Sequence, residues 1–403
     1  MPFWRWAALA IFVSVGPINI LLHGLFGAGS LTTAALLVGS LAALFLLGDW
    51  RSLRLSPYDY CFVTFTACAV LAIAIHPAAD AKELTLFAMT LSSYCAGRLF
   101  VPQAPHPVFP TVILLISAIG AALMVWAMLN GQVDPIGRPF VLGEFSAAPV
   151  QFLVPFMLAA AALLSREKIA IRWFVVALVV VIAAVLSASM VRFAFIAAAC
   201  ACLVLAAATR PPMRRTVILA TMGLVVVVVF GQLARPTTAT KLRDLTAQAF
   251  GLSQPSGGKL PELDECGIDN SNSVAIRKAL YRDWSRLIAE SPPTGIGLDG
   301  FLKRSCRGRE QVHNTLLQIA LEFGWPAAGI FLFILSAAFV RLFQARSDEG
   351  ARFGLFALAF LLLMSTSYGR ASQDRDMFLF MGYAVALTGR RQANAVPALN
   401  PSA

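Results

Sequence analysis

From Trp173 to Leu186 the chain reads Trp-Phe-Val-Val-Ala-Leu-Val-Val-Val-Ile-Ala-Ala-Val-Leu, without one charged or amide side chain. Runs of this kind recur along most of its length, and they restrict the possible folds more than any other feature. Hydrocarbon offers the backbone no hydrogen-bond partners, so segments this apolar must satisfy their own N–H and C=O groups inside a helix or a closed barrel. The runs lack the every-second-residue alternation of barrel strands, which leaves helices. With 58% hydrophobic and only 13% charged residues among 403, a soluble globule could not hide the apolar surface. The expected fold class is therefore all-α polytopic membrane protein, with about 12 transmembrane helices. Their approximate limits are 4–22, 31–48, 59–76, 84–101, 110–130, 148–164, 169–187, 192–208, 216–233, 325–342, 352–368 and 376–389. Only Arg5 precedes the first run as a basic residue, and no small-x-small cleavage site follows it. It reads as a retained helix rather than a signal peptide.

Basic residues set the orientation. Alternate connections carry Arg51 and Arg54; Arg166, Lys168 and Arg172; Arg210, Arg214 and Arg215; then Arg341, Arg346 and Arg352, with Arg390 and Arg391 in the tail. The short connections on the other side hold only Lys82, Arg138, Arg192, Arg370 and Arg375. This bias predicts cytoplasmic termini and an external loop over 235–312, periplasmic in a Gram-negative cell of which this chain would span the inner membrane. The net charge of +11 is mostly this signal: the loop holds 12 basic and 9 acidic residues, and no nucleic-acid motif accompanies them. Nucleic acid is excluded as a partner on that basis. The organisation expected is an N-terminal block of about nine helices over 1–234, the loop over 235–312, a re-entrant helix with a three-helix block over 313–390, and a short tail over 391–403.

Five of the seven cysteines (Cys61, Cys68, Cys95, Cys200 and Cys202) fall in apolar runs and read as small packing residues. Cys266 and Cys306 share the external loop, where an oxidising compartment favours a structural disulfide that makes the loop a folded lid. Within the loop, Ile276, Leu280, Trp284, Leu287 and Ile288 recur at helical spacing and predict an amphipathic helix. Ser291-Pro292-Pro293-Thr294-Gly295-Ile296-Gly297 ends it. A short re-entrant helix follows from about His313 to Gly324, before Trp325-Pro326 opens the next span.

Few side chains are available for chemistry. His23, His76 and His106 sit at span ends or between prolines, without ligand-spaced partners; there is no His-Glu-x-x-His or Cys-x-x-Cys, so a metal site is not expected. His313 differs. It stands where the polar loop re-enters the membrane, at a helix start beside Asn314 and Thr315, wet enough to exchange protons near neutral pH. Arg192 lies in a short small-residue turn between two apolar runs, either snorkelling to the interface or facing an anion such as phosphate. Arg277 aligns with Tyr281, Trp284 and Ile288 on the apolar side of the loop helix, where a ligand or a carboxylate is expected to meet it. Arg304, with Lys303, Arg307 and Arg309, reads first as solvated charge. Asp374 and Asp376 either pair with local arginines or orient His313 or Arg277.

Arg277-x-x-x-Tyr281, then Pro292-x-x-Gly295-x-Gly297, then His313-Asn314 with Leu317 and Gly324, resembles the O-antigen ligase/polymerase superfamily, the lipopolysaccharide O-antigen ligase branch above all. Members normally carry tryptophan where this chain has Tyr281. The resemblance implies a metal-independent, inverting membrane glycosyltransferase of the GT-C type, acting without a cofactor. Its donor would be a glycan on undecaprenyl pyrophosphate, and its acceptor a hydroxyl of the lipid A–core oligosaccharide. By the same resemblance His313 is the general base, and Arg277 and Arg192 hold the pyrophosphate; Asn314, Tyr281, Arg304, Asp374 and Asp376 are the candidate supporting residues. A polymerase of lipid-linked repeats, a protein O-glycosyltransferase (disfavoured by the short tail and the lack of an appended domain) and a glycolipid flippase are the competing readings. A flippase is expected to show two pseudo-symmetric halves and charges at the midplane, whereas here only Arg98 falls well inside a span.

Overall fold

The computed structural model describes residues 2–100, 104–133, 139–142, 148–166, 173–189, 192–233, 266–268, 273–308 and 310–395. The loop stretch 234–265, where a turn is expected at Pro255–Gly258, and Arg309 lie outside them. Helix dominates, and two compact units divide the chain.

The first unit comprises 1–48, 102–256 and 345–360. It holds α1 (Pro2–Val13), α2 (Val15–Phe26), α3 (Ser30–Leu46), α6 (Val108–Leu129), α7 (Ala148–Leu164), α8 (Trp173–Ala188), α9 (Arg192–Ala208) and α10 (Pro211–Leu233). Close helix approach rests on small residues: a Cβ on Gly120 of α6 would strike the Phe152 ring of α7, and one on Gly231 of α10 would strike Ser187 of α8. Phe109 meets Trp6 and Phe353 edge to face, and Trp6 and Phe353 are tilted against each other, with centroids 5.5–5.9 Å apart.

The second unit comprises 49–101, 257–344 and 361–403. It contains α4 (Pro57–Ile75), α5 (Ala81–Leu99), the loop helices α11 (Ser273–Glu290) and α12 (Gly300–Arg304), then α13 (Thr315–Glu322), α14 (Gly324–Gln344), and α16 (Arg375–Ala395). The helix α15 (Glu349–Tyr368) contributes its second half here and its first half to the other unit. Gly97 of α5 and Gly382 of α16 let those two helices touch backbone to backbone. Arg98, the one charge read well inside a span, donates from Nε to Asp59 at 2.7 Å and from Nη2 to the Arg54 carbonyl at 2.6 Å, while Tyr94 donates to the same aspartate at 3.1 Å. A buried charge satisfied this fully is a packing element.

Eleven of the expected spans each coincide with one helix and the first with two, but not all of these are long and apolar enough to count as crossings. Among the described residues, five helices are long and apolar enough to cross a membrane: α4, α6, α10, α14 and α15. A sixth arises if α1 and α2 form one span, bent by 66°. The single helix expected over 4–22 breaks at Ser14 because Pro17 has no N–H and its ring crowds the carbonyl four residues back, at Val13. The helices α3, α7, α8 and α9 are apolar but 16–17 residues long, shorter than the roughly 20 a bilayer asks for. Charges at the ends of α5 (Lys82, Glu83, Arg98) and α16 (Arg375, Asp376) dilute their apolar windows.

Candidate active site

The second unit contains His313 and Arg277, and the site can be built from its loop helix upward. Amphipathic α11 buries Leu280 and Leu287 and packs Ile276, Trp284 and Ile288 against Ile296, Phe301, Val312, Leu317 and Leu321. Each fully buried leucine contributes about 1.5–3 kcal/mol. The Trp284 indole N–H donates to the Leu317 carbonyl at 2.8 Å, pinning α11 onto α13. Cys266 and Cys306 are joined by a disulfide with Cα atoms 6.0 Å apart, and the Cys306 N–H donates to Asp283 of α11 at 2.9 Å. Closing a loop of 40 residues' separation restricts the unfolded chain by about 4 kcal/mol. Cys306→Ser is therefore expected to raise proteolytic cleavage within 273–308 severalfold in non-reducing buffer; cleavage no faster than wild type would remove the clamp role.

The Pro-x-x-Gly-x-Gly turn straps the end of α13. Gly295 N–H donates to the Pro292 carbonyl at 2.8 Å, Ile296 N–H to Leu321 at 3.1 Å, and Gly297 N–H to Glu322 at 2.9 Å. Gly295, Gly297 and Gly324 all hold φ of 80–85°, where a side chain is strained. A Cβ on Gly297 would overlap the His76 carbonyl oxygen, and one on Gly324 the Pro293 carbonyl oxygen. The motif spacing thus reflects backbone passing against backbone.

His313 sits just before α13 with φ 54°, a left-handed conformation that costs a non-glycine residue of order 1 kcal/mol. Asn314 caps the helix, its side chain accepting from Leu317 N–H at 3.2 Å. The cap fixes the direction in which His313 leaves the turn. Burial pulls the His313 pKa below its ordinary 6.5; Glu310 opposes this and the Arg277 charge reinforces it. The ring is therefore neutral at pH 7, with one nitrogen free to accept a proton. Arg277 is half-buried, its guanidinium 5.9 Å from the Tyr368 ring centroid, and among the described residues it meets no carboxylate. A neutral base near a cation that meets no carboxylate among the described residues suits an acceptor hydroxyl on one and an anionic leaving group on the other.

Behind this pair lies a buried polar frame that sequence reasoning missed. Arg370 bridges Asp299 at 3.0 Å and Glu83 at 3.3 Å. Gln311 donates to Asp299 at 2.7 Å, and Ser372 to Glu83 at 2.6 Å. Gln318 accepts from Ala371 N–H at 2.8 Å and donates to Glu322 at 2.8 Å; Phe301 N–H donates to the other Glu322 oxygen at 3.3 Å. Burial lifts Glu322 to about 8, Asp299 adding to the rise against the pull of Gln318, so the acid is protonated at neutral pH. Asn314, Gln318 and Glu322 fall at four-residue steps on α13, and that polar stripe in an apolar helix was the available signal. Glu83 and Arg370 gave none, since they meet only through the fold.

The other expected site residues scatter. Asp374 accepts from the Thr315 hydroxyl, two positions from His313, and burial lifts it to about 7. Asp376 pairs with Arg375 at 3.7 Å. Tyr281 is 37% exposed rather than packed with the apolar face, and Arg304 is exposed at the end of α12. Arg192 opens α9 in the first unit; its side chain lies outside the described residues. His23 contacts the Ala28 carbonyl at 2.6 Å, and His106 accepts from Val108 N–H at 3.2 Å.

Residues 177–332, which include Arg192, Arg277, the glycine turn and His313, match the family model described as O-antigen ligase. That match supports the O-antigen ligase/polymerase superfamily over this stretch. No curated protein matches the chain.

Proposed function

We propose that this chain, with its O-antigen ligase domain over 177–332, is a membrane glycosyltransferase that moves a preassembled O-antigen glycan from undecaprenyl pyrophosphate to a hydroxyl of the lipid A–core oligosaccharide. The observation that carries this reading is the neutral, half-buried His313 held beside Arg277 at the capped start of α13. In the proposed reaction His313 takes the acceptor hydroxyl's proton as that oxygen attacks the anomeric carbon. The bond from that carbon to the pyrophosphate oxygen breaks on the opposite face, so the configuration inverts. Arg277 receives the charge developing on the departing pyrophosphate. This leaving group is stable as an anion, and the scheme calls for no cofactor. The orientation expected from the basic connections favours the periplasmic side of the inner membrane for this chemistry, and the resemblance favours a GT-C-type arrangement.

The test is reconstitution in detergent with undecaprenyl-pyrophosphate glycan and purified rough lipopolysaccharide, read by gel shift. A shifted lipopolysaccharide band supports the ligase. Longer lipid-linked chains without that band make the protein a polymerase, and absence of any new glycosidic bond returns the flippase reading. In the same assay Arg277→Gln is expected to lower turnover about a hundredfold, the loss of one preorganised charge worth roughly 3 kcal/mol. Arg277→Lys should recover only part, since an ammonium lacks the planar fork. Wild-type turnover in both variants would remove Arg277 from the leaving-group site.

A further inference from the structure

The first unit contains an apolar cavity of about 460 Å³ between α7, α8, α9 and α10, lined by Met157, Leu164, Val176, Val180 and Leu224 among others. It runs along α10 from Thr216 to Val227 and along α8 from Trp173 to Ala183. At 1.5 Å per residue each stretch is about 15 Å, the depth of one leaflet of a roughly 30 Å hydrocarbon core. At the end of the slot nearest the helix starts, the lining residue Trp173 opens α8 and stands 86% exposed, as interfacial tryptophans do. Arg210, just before α10, and Arg215, next to the lining residue Thr216, are both exposed; Arg214 between them donates to the Ala206 and Thr209 carbonyls at 3.2 and 3.3 Å. Midway along the slot, Gly223 has nothing within 4 Å of where a Cβ would stand.

We infer that this slot binds one acyl chain of an anionic phospholipid, whose phosphate lies against Arg210 and Arg215. The lining is almost wholly apolar, the length fits one leaflet, and the arginines at the start of α10 would select the headgroup charge. A polyprenyl donor is disfavoured because the Thr216 end of the slot lies at the end of α10 opposite the 235–312 loop, in the leaflet that the basic connections face. The site is independent of the glycosyl-transfer reading and would hold whatever reaction His313 performs.

The full-length protein in detergent is incubated with an equimolar mixture of phosphatidylglycerol, phosphatidylethanolamine and undecaprenyl phosphate, exchanged into lipid-free detergent, and its retained lipid identified by mass spectrometry. Wild type is expected to retain about one phosphatidylglycerol per chain, in preference to phosphatidylethanolamine by roughly tenfold. Gly223→Phe, which puts a ring where an added Cβ meets nothing within 4 Å, should lose retention while eluting from gel filtration as wild type does. Arg210→Gln with Arg215→Gln should keep a retained lipid but lose the headgroup preference. The inference is overturned if wild type retains no lipid, if undecaprenyl phosphate is the species kept, or if Gly223→Phe retains phosphatidylglycerol as wild type does.

Discussion

His313→Ala is expected to lower glycosyl transfer by about 10²–10⁴, the span of a lost general base, with little change in thermal stability. The ring is half-buried beside a cap made by Asn314, and Asn314 survives the substitution. The pH profile gives a sharper readout. The active form is the neutral imidazole, so kcat/KM rises with pH and levels off above the His313 pKa. Burial and Arg277 put that midpoint below 6.5, on the acid side of an ordinary histidine. Stability linked to this group runs the same way: it is fully present above the unfolded value and is lost as pH falls through the folded one. Arg277→Gln removes a charge that disfavours the imidazolium, so the acid limb should move toward higher pH even as turnover falls. An acid limb that stays put in Arg277→Gln would mean the two side chains do not share a site. Full activity in His313→Ala would end the assignment of the base.

Gly297→Ala should unfold the site outright. At φ 82° alanine is strained by about 1–2 kcal/mol, and its methyl overlaps the His76 carbonyl oxygen, a backbone atom with no rotamer to give. Relief requires moving the turn, which would strain the N–H bonds that Ile296 and Gly297 send to Leu321 and Glu322. Leaving either buried group unmatched costs a further 1–3 kcal/mol or so. A loss of about 4 kcal/mol is the expected total, visible as a lower melting temperature in detergent and as lost turnover. Gly329→Ala is the comparator. Gly329 lies within α14 with nothing within 4 Å of its missing Cβ, so alanine there should be neutral or gain up to about 1 kcal/mol. Equal melting of the two variants would show that the turn tolerates the displacement.

Much of this was legible because it is local. The positions Ile276, Leu280, Trp284, Leu287 and Ile288 announced α11 by spacing alone, and they are the residues it packs inward. His313-Asn314 announced α13 because an asparagine before an apolar helix is a cap. Span lengths were less legible: apolar character marked α3, α7, α8 and α9, but where each one stops depends on turns whose geometry composition does not report. Pro17 was a local signal of the break between α1 and α2 that apolar content outweighed. The polar frame was not legible at all beyond the stripe on α13. Ser372 and Glu83 are 289 positions apart, and nothing in either neighbourhood specifies the other.

That separation governs when the site can exist. The frame around α13 draws on Glu83 near one end of the chain and on Arg370, Ala371, Ser372 and Asp374 near the other. Synthesis proceeds at about 5–20 residues per second, so His313 leaves the ribosome several seconds before the turn that braces its helix. During that interval α13 has its cap and its glycine strap, while Gln318 and Thr315 still await their partners. Assembly of the site is thus a late event, completed only when α16 has followed α15 into place, and a chain stalled before Arg370 would carry its base without the frame that steadies it.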